Sequence, residues 1–409
     1  MGRPEYLRDL ESNGEDSSTR RDWATILIWS VFGFICLLVL LVHFSGVPLL
    51  ALGLGQFLFQ QDQAPFLAFS NNTGHFEKPD GIKIVALVPF RQHERTSILD
   101  CYLQRNLVHN NGFLDKVVFV PQTGEEESLR WLNSVVRQTP AYYISHSSSG
   151  DVWDIAEKGT LYIRIDGDVV FLEENTIPTI VRTKLQHPDA LMVSANVIHQ
   201  PVLASLHNHA GVALSYLPEL HHVSQPARST PQRVDDWRLS DLPPWEGPAD
   251  FRIQKEFQPP FKNHRWLLSN DSERERTPIA ATMHSDEGPG WSHWTVSAQR
   301  HYSFLHHLEE GDLRRYKFPL WVDPTGTVSE DFVCIWGDDV IAARTVHQSQ
   351  QTSNVGRPIP KKQPRKHIID GKGVVSHYSA EAGVQGLDST DILQRYRGYA
   401  REMVCLNAA

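Results

Sequence analysis

The residues best equipped for chemistry in this chain are Asp166 and Asp168, separated only by Gly167. Ahead of them Leu161, Ile163 and Ile165 alternate with Tyr162 and Arg164, a period of two that predicts a strand ending at the first aspartate. Two residues apart in extended geometry, the carboxylates share a face, and the glycine lets the backbone bend close to a ligand. Neighbouring carboxylates repel, and a hard cation such as Mn2+ or Mg2+, which takes oxygen ligands and binds phosphate, relieves that repulsion. The expectation is a metal-diphosphate site in which Asp168 holds the ion and Asp166 helps hold the ion or a nucleotide ribose. The plain alternative is a solvated Asp-Gly-Asp turn.

A complete site needs more groups. His377, after the short apolar run Val374-Val375-Ser376, is the candidate third ligand, against its being a packed or surface histidine. For a base that deprotonates an acceptor hydroxyl, the richest source is Glu330, Asp331, Asp338 and Asp339. Within it Asp338 and Asp339, after Gly337 at the end of an apolar strand, are the sharper pair; a polar turn capping the next helix is the alternative. Arg91 and Arg95 follow the first strand and could meet phosphate or base, or be solvated helix-start residues. The histidine pairs around 207–209, 221–222 and 306–307 lack cysteine or acidic partners at zinc spacing and read as structural.

These groups need a scaffold. Lys83 to Pro89 is the apolar run of a strand buried on both faces. Thr96 to Val108 carries apolar residues at helical spacing, Lys116 to Pro121 returns to strand, Glu125 to Arg137 to helix and Ala141 to Ile144 to strand. Such a βαβαβ series predicts a Rossmann-like, mostly parallel α/β sheet flanked by helices, with Asp166 and Asp168 beyond the carboxyl end of the next strand, where open sheets bind ligands. A helix over Thr176 to Gln186 and a strand over Ala190 to Ala195 follow. From Pro218 to Trp294 the chain is irregular and holds five of the 11 tryptophans, read mainly as pins for loops over the binding edge. Beyond it a helix is expected over Ser292 to Glu309, extended chain over Lys317 to Val322 and a strand over Asp331 to Trp336.

With 409 residues the chain can bury a large core, and a net charge of -9 without a long basic run argues against a nucleic-acid partner. From Ala24 to Phe44 no residue is charged, and the run is long enough to cross a bilayer as one helix. Arg3, Arg8, Arg20 and Arg21 precede it and no Lys or Arg recurs until Lys78, so the positive-inside bias predicts a cytosolic tail and a lumenal remainder. A cleaved signal peptide is the rival. The expected organisation is tail 1–23, transmembrane signal-anchor 24–44, stem 45–81, nucleotide-sugar-binding half 82–200, and acceptor-binding and C-terminal half 201–409. Sequons at Asn71 and Asn270 fall on the lumenal side. Cys101, Cys334 and Cys405 allow one internal disulfide and a leftover thiol.

The anchor, Lys83 to Arg91, Tyr162 to Phe171 with its two aspartates, and Gly337-Asp338-Asp339 together resemble the GT-A-fold glycosyltransferases of the secretory pathway. The resemblance implies a nucleotide-sugar donor, Mn2+ or Mg2+ on the aspartate pair, an acidic base in the second half for an inverting enzyme, often a C-terminal histidine on the metal, and a glycan, lipid or small-molecule acceptor. The anchor length fits a thinner membrane and makes the Golgi membrane the expected home of this type II protein, with the endoplasmic reticulum the second choice. A rival resemblance is to haloacid-dehalogenase-like phosphatases, with Asp166 as nucleophile, Asp168 as acid-base partner and Ser194 in their second motif. A third reading is a catalytically inactive, membrane-anchored binding protein.

Overall fold

The computed structural model describes residues 76–145, 151–200, 203–208, 211–221, 236–323, 330–352, 365–378 and 384–406. The expected tail and anchor, and the stem up to residue 75, lie outside the described residues, as does the sequon at Asn71. Among the described residues no helix is long and apolar enough to cross a membrane.

Strand β1 (Lys83–Phe90) is buried along all but its first residue, and its side chains divide by parity. Ile84, Ala86 and Val88 face the main core, while Val85 and Leu87 join a second cluster with Tyr162, Met192 and Val333 on the opposite face. Both faces are therefore covered, which is why β1 reads as a continuous apolar run. Helix α1 (His93–Arg105), β2 (Lys116–Pro121), α2 (Glu126–Gln138), β3 (Tyr142–Ile144) and β4 (Thr160–Ile165) follow as the sequence predicts. They make a parallel block in the order β3-β2-β1-β4.

Past β4 the sheet departs from the mostly parallel expectation and becomes mixed. Val169–Leu172 is a separate strand, β5, and α3 (Thr176–Gln186) leads into β6 (Ala190–Ile198). Strands β7 (Tyr216–Pro218) and β8 (Trp266–Leu268) form a small two-stranded sheet of their own, and β9 (Trp321–Asp323) borders the last strand. From the second half of the chain β10 (Phe332–Trp336) inserts between β4 and β6, antiparallel to both. The last strand, β11 (Lys366–His377), runs parallel to β6 and antiparallel to β5 and β9. Strand β10 starts opposite the carboxyl end of β4 and runs back along the sheet. The two halves of the chain thus share one nine-stranded sheet.

Helix α4 (Trp294–Glu309) is buried on nearly every face, and the irregular segment packs around it. Trp237, Trp245, Trp266 and Trp294 are all buried, pinning loops, whereas Trp291 is 45% exposed. Gly337 opens α5 (Gly337–Thr352), and α6 (Ile392–Tyr399) returns toward α1, where Cys101 and Cys405 form a disulfide across 304 residues of sequence. Cys334, inside β10, is the buried free thiol.

Candidate metal and donor site

The link between β4 and β5 is Asp166-Gly167-Asp168, and pairing geometry brings the third group to it. Strand β5 is antiparallel to β11 with Val169 opposite His377, so Asp168 is adjacent to that histidine. The Tyr378 amide donates to the Asp168 carbonyl at 2.9 Å and fixes the register. One ligand atom from each of Asp166, Asp168 and His377 lies within 4.8 Å of the other two, and all three residues are buried. The His377 Nε2 pairs with Asp166 Oδ1 at 3.5 Å. Gly167 is required by close approach: a Cβ there would stand 2.6 Å from the Pro89 carbonyl oxygen. The Asp166 carboxylate also accepts the Asp168 amide at 3.0 Å, which tightens the link.

Charge is concentrated here. Burial pushes the Asp166 carboxyl up, but His377, the Asp168 amide and Arg91 outweigh it and hold the group down to about 2. For Asp168 burial prevails, aided by the charge of Asp166 and opposed by Arg95, and its carboxyl is lifted. Burial would lower His377, yet Asp166, Asp331 and Asp168 raise it. Two buried carboxylates and an imidazole whose ligand atoms converge are a donor set that suits a divalent cation, and Arg91, Arg95 and Arg164 balance the carboxylates in this structure.

Arg91 is half-exposed and reaches Asp166 at 3.4 Å, with one face open to a ligand. Arg95 has a different place from the phosphate contact expected of it. It is buried, pairs with Asp168 at 3.0 Å and Asp388 at 3.2 Å, and lies over the Tyr378 ring, so it positions Asp168. Arg164, on β4, stands 3.9 Å from Asp166 and escaped the sequence reading because it looks like a solvent-facing strand residue.

Asp338 and Asp339 are not at this site. Because β10 runs antiparallel to β4, its far end lies at the opposite edge of the sheet. There Asp338 accepts the amide of Gly159, ahead of β4, at 2.8 Å, and Asp339 pairs with Lys184 and Arg365. The residue that the same strand does deliver is Asp331, at its start. Its carbonyl accepts the Asp166 amide at 2.8 Å, and its carboxylate accepts from Gln200 Nε2 at 2.6 Å. Ser194 lies within β6, paired across to Val333 and Ile369, away from the edge where the phosphatase resemblance needs it. His207 and His307 bond to Asn196 and to the Val212 carbonyl, as structural histidines would; His209 and His222 lie outside the described residues.

No family model matches the chain, and no curated protein does. Among solved structures it is similar to glucosyl-3-phosphoglycerate synthase from Mycobacterium tuberculosis in complex with Mn2+, uridine-diphosphate-glucose and phosphoglyceric acid, at 16% identity and a TM-score of 0.23, over 31% of this chain and 50% of that one. It is also similar to mannosyl-3-phosphoglycerate synthase from Rubrobacter xylanophilus, at 18% identity and a TM-score of 0.23, over 29% of this chain and 41% of that one. The chain thus spans about half the length of these structures or less.

Proposed function

We propose that the chain is a metal-dependent glycosyltransferase that moves a sugar from a nucleoside diphosphate donor to a hydroxyl acceptor. The observation that carries this reading is the convergence of Asp166, Asp168 and His377 beyond the carboxyl end of β4 in an α/β sheet. These three residues would hold Mn2+ or Mg2+. When bound, the ion would supply Lewis-acid stabilisation of the charge that develops on the departing diphosphate.

The chain's own groups supply the rest. Arg91, half-exposed beside Asp166, is placed to meet the diphosphate, while Arg95 locks Asp168 and Arg164 backs Asp166. For an inverting transfer Asp331 takes the acceptor proton as the acceptor oxygen bonds to the anomeric carbon and the diphosphate leaves. Its Gln200 bond and its place beside Asp166 support that role. The uncharged run 24–44 supports a single-pass type II anchor, and the Cys101–Cys405 disulfide supports an oxidising lumen, with the Golgi ahead of the endoplasmic reticulum.

The test is the melting temperature of the purified chain with a panel of nucleoside diphosphates, with and without Mn2+. Binding to the native state raises the midpoint, so a rise that needs the ion is expected and names the base of the donor. A response to vanadate with Mg2+ in place of any nucleotide would move the reading to phosphoryl chemistry. Silence throughout would leave a binding protein.

A further inference from the structure

Arg95, Arg300 and Arg395 are the buried arginines among the described residues. Arg95 is paired with Asp168 and Asp388, and Arg395 with Asp391. Arg300 pairs with no carboxylate among the described residues. Its Nε donates to Asn208 Oδ1 at 2.9 Å, Trp291 lies 5.7 Å from its guanidinium, and its Nη2 is buried without an acceptor. A buried charge left unpaired is expensive, and burial alone pushes this arginine down to about 10.

Beside it sit two further unsatisfied groups. His199 follows the last residue of β6, which lies opposite Ser376, so it reaches the sheet edge next to His377. Its φ of 77° is a left-handed conformation that a bulky side chain rarely adopts, and strain of this kind gathers where a side chain must be aimed. Both His199 ring nitrogens are buried without a partner among the described residues, and the ring packs on His301 with centroids 3.7 Å apart. His301 is held by Tyr396 at 3.0 Å through Nδ1 and leaves Nε2 unpartnered. The positive charge of Arg300 bears on both imidazoles.

A guanidinium without a carboxylate, beside neutral imidazoles that can each turn an N–H toward a ligand, is complementary to an oxyanion. We propose that Arg300, His199 and His301 bind a phosphate or carboxylate group on the acceptor, beside the donor site. This names the acceptor class and rests on the transferase reading.

The experiment titrates inorganic phosphate and, separately, succinate into the full chain pre-loaded with Mn2+ and the nucleoside diphosphate that binds best, so that neither anion can occupy the donor site. Saturable binding of one of them is expected, and the anion that binds identifies the group. Arg300→Met should weaken it roughly ten- to a hundredfold, the loss of hydrogen bonds to a charged partner, and should not lower the melting temperature without anion. Should Arg300→Met fail to fold, His199→Gly, at ease at this φ, removes a donor and should also weaken binding. Saturable binding of neither anion, or unchanged affinity in the variants, overturns the proposal. If no nucleoside diphosphate binds, the transferase reading fails by itself, and the same titration on the chain alone still decides whether Arg300 holds an anion.

Discussion

The chemistry rests on individual side chains whose partners are known, so residue-level substitutions separate role from scaffold. Asp168→Asn keeps the volume of the side chain and removes one charge from a buried pair with Arg95. Loss of the groups that merely orient a ligand costs about 10- to 100-fold in metal affinity, so loss of a ligand should exceed that. Transfer should be abolished, with a cooperative unfolding transition retained; metal-dependent activity in the variant would remove Asp168 from the site. The base is decided by a pair. Asp331→Asn should lower kcat by about 10²- to 10⁴-fold with little change in donor affinity, the range for a general base. Asp338→Asn, which touches the Gly159 amide at the other edge, should leave kcat within about twofold. The reverse result would restore the Gly-Asp-Asp segment as the source of the base.

The site exists because three strands end together, and this is also where the sequence stopped being legible. Strands β1 to β4 and the helices between them follow from apolar runs and helical spacing, which local composition records. The direction of β10 does not, because an apolar five-residue strand reads the same in either orientation. That single reversal exchanged Asp331 for Asp338 and Asp339. Strand β5 escaped notice because Val169–Leu172 continues the apolar run of β4 with only the three linking residues between, and nothing local says that its partner is β11. His377 was accessible from its position after a strand-like run, whereas His199 and Arg300 carry no sequence signal at all, since their importance lies in partners they lack. The link itself makes an element-level prediction. In Gly167→Ala the new methyl would stand 2.6 Å from the Pro89 carbonyl, so either β1 or the link must shift. Because a misplacement of about 1 Å can cost on the order of 100-fold in rate, turnover should collapse. The melting temperature should fall by only a few degrees. Wild-type turnover in Gly167→Ala, measured with the preferred donor, would show that the close approach does not set the geometry.

At the scale of the whole molecule the buried histidines should govern stability in mild acid. His199 and His301 are buried, and desolvation first, then neighbouring positive charge, holds both well below the usual histidine value. In the unfolded chain each titrates near 6.5. As the pH falls past that value the unfolded state takes up protons that the native state refuses, so stability is lost, at about 1.4 kcal/mol per pH unit for each histidine. His264 and His307, also lowered by burial, shift in the same direction. His377 has the opposite sign: its native value is raised, so its contribution is complete below the unfolded value and is lost as the pH rises through the raised one. Below about pH 6 it is protonated in both states and its slope vanishes. Asp166, held down to about 2, contributes stability that is present above the ordinary carboxylate range and lost only in stronger acid. Asp168, lifted by burial, takes up its proton first in the native state and resists the loss at the acid end. Urea unfolding of the metal-free chain between pH 6.5 and 5.5 should therefore show a falling midpoint. His301→Gln, which leaves no group to titrate there, should flatten that fall by about 1 kcal/mol across this window. An unchanged slope in His301→Gln would mean that this histidine is protonated in the native state, and that the cluster around Arg300 is solvated instead of dry.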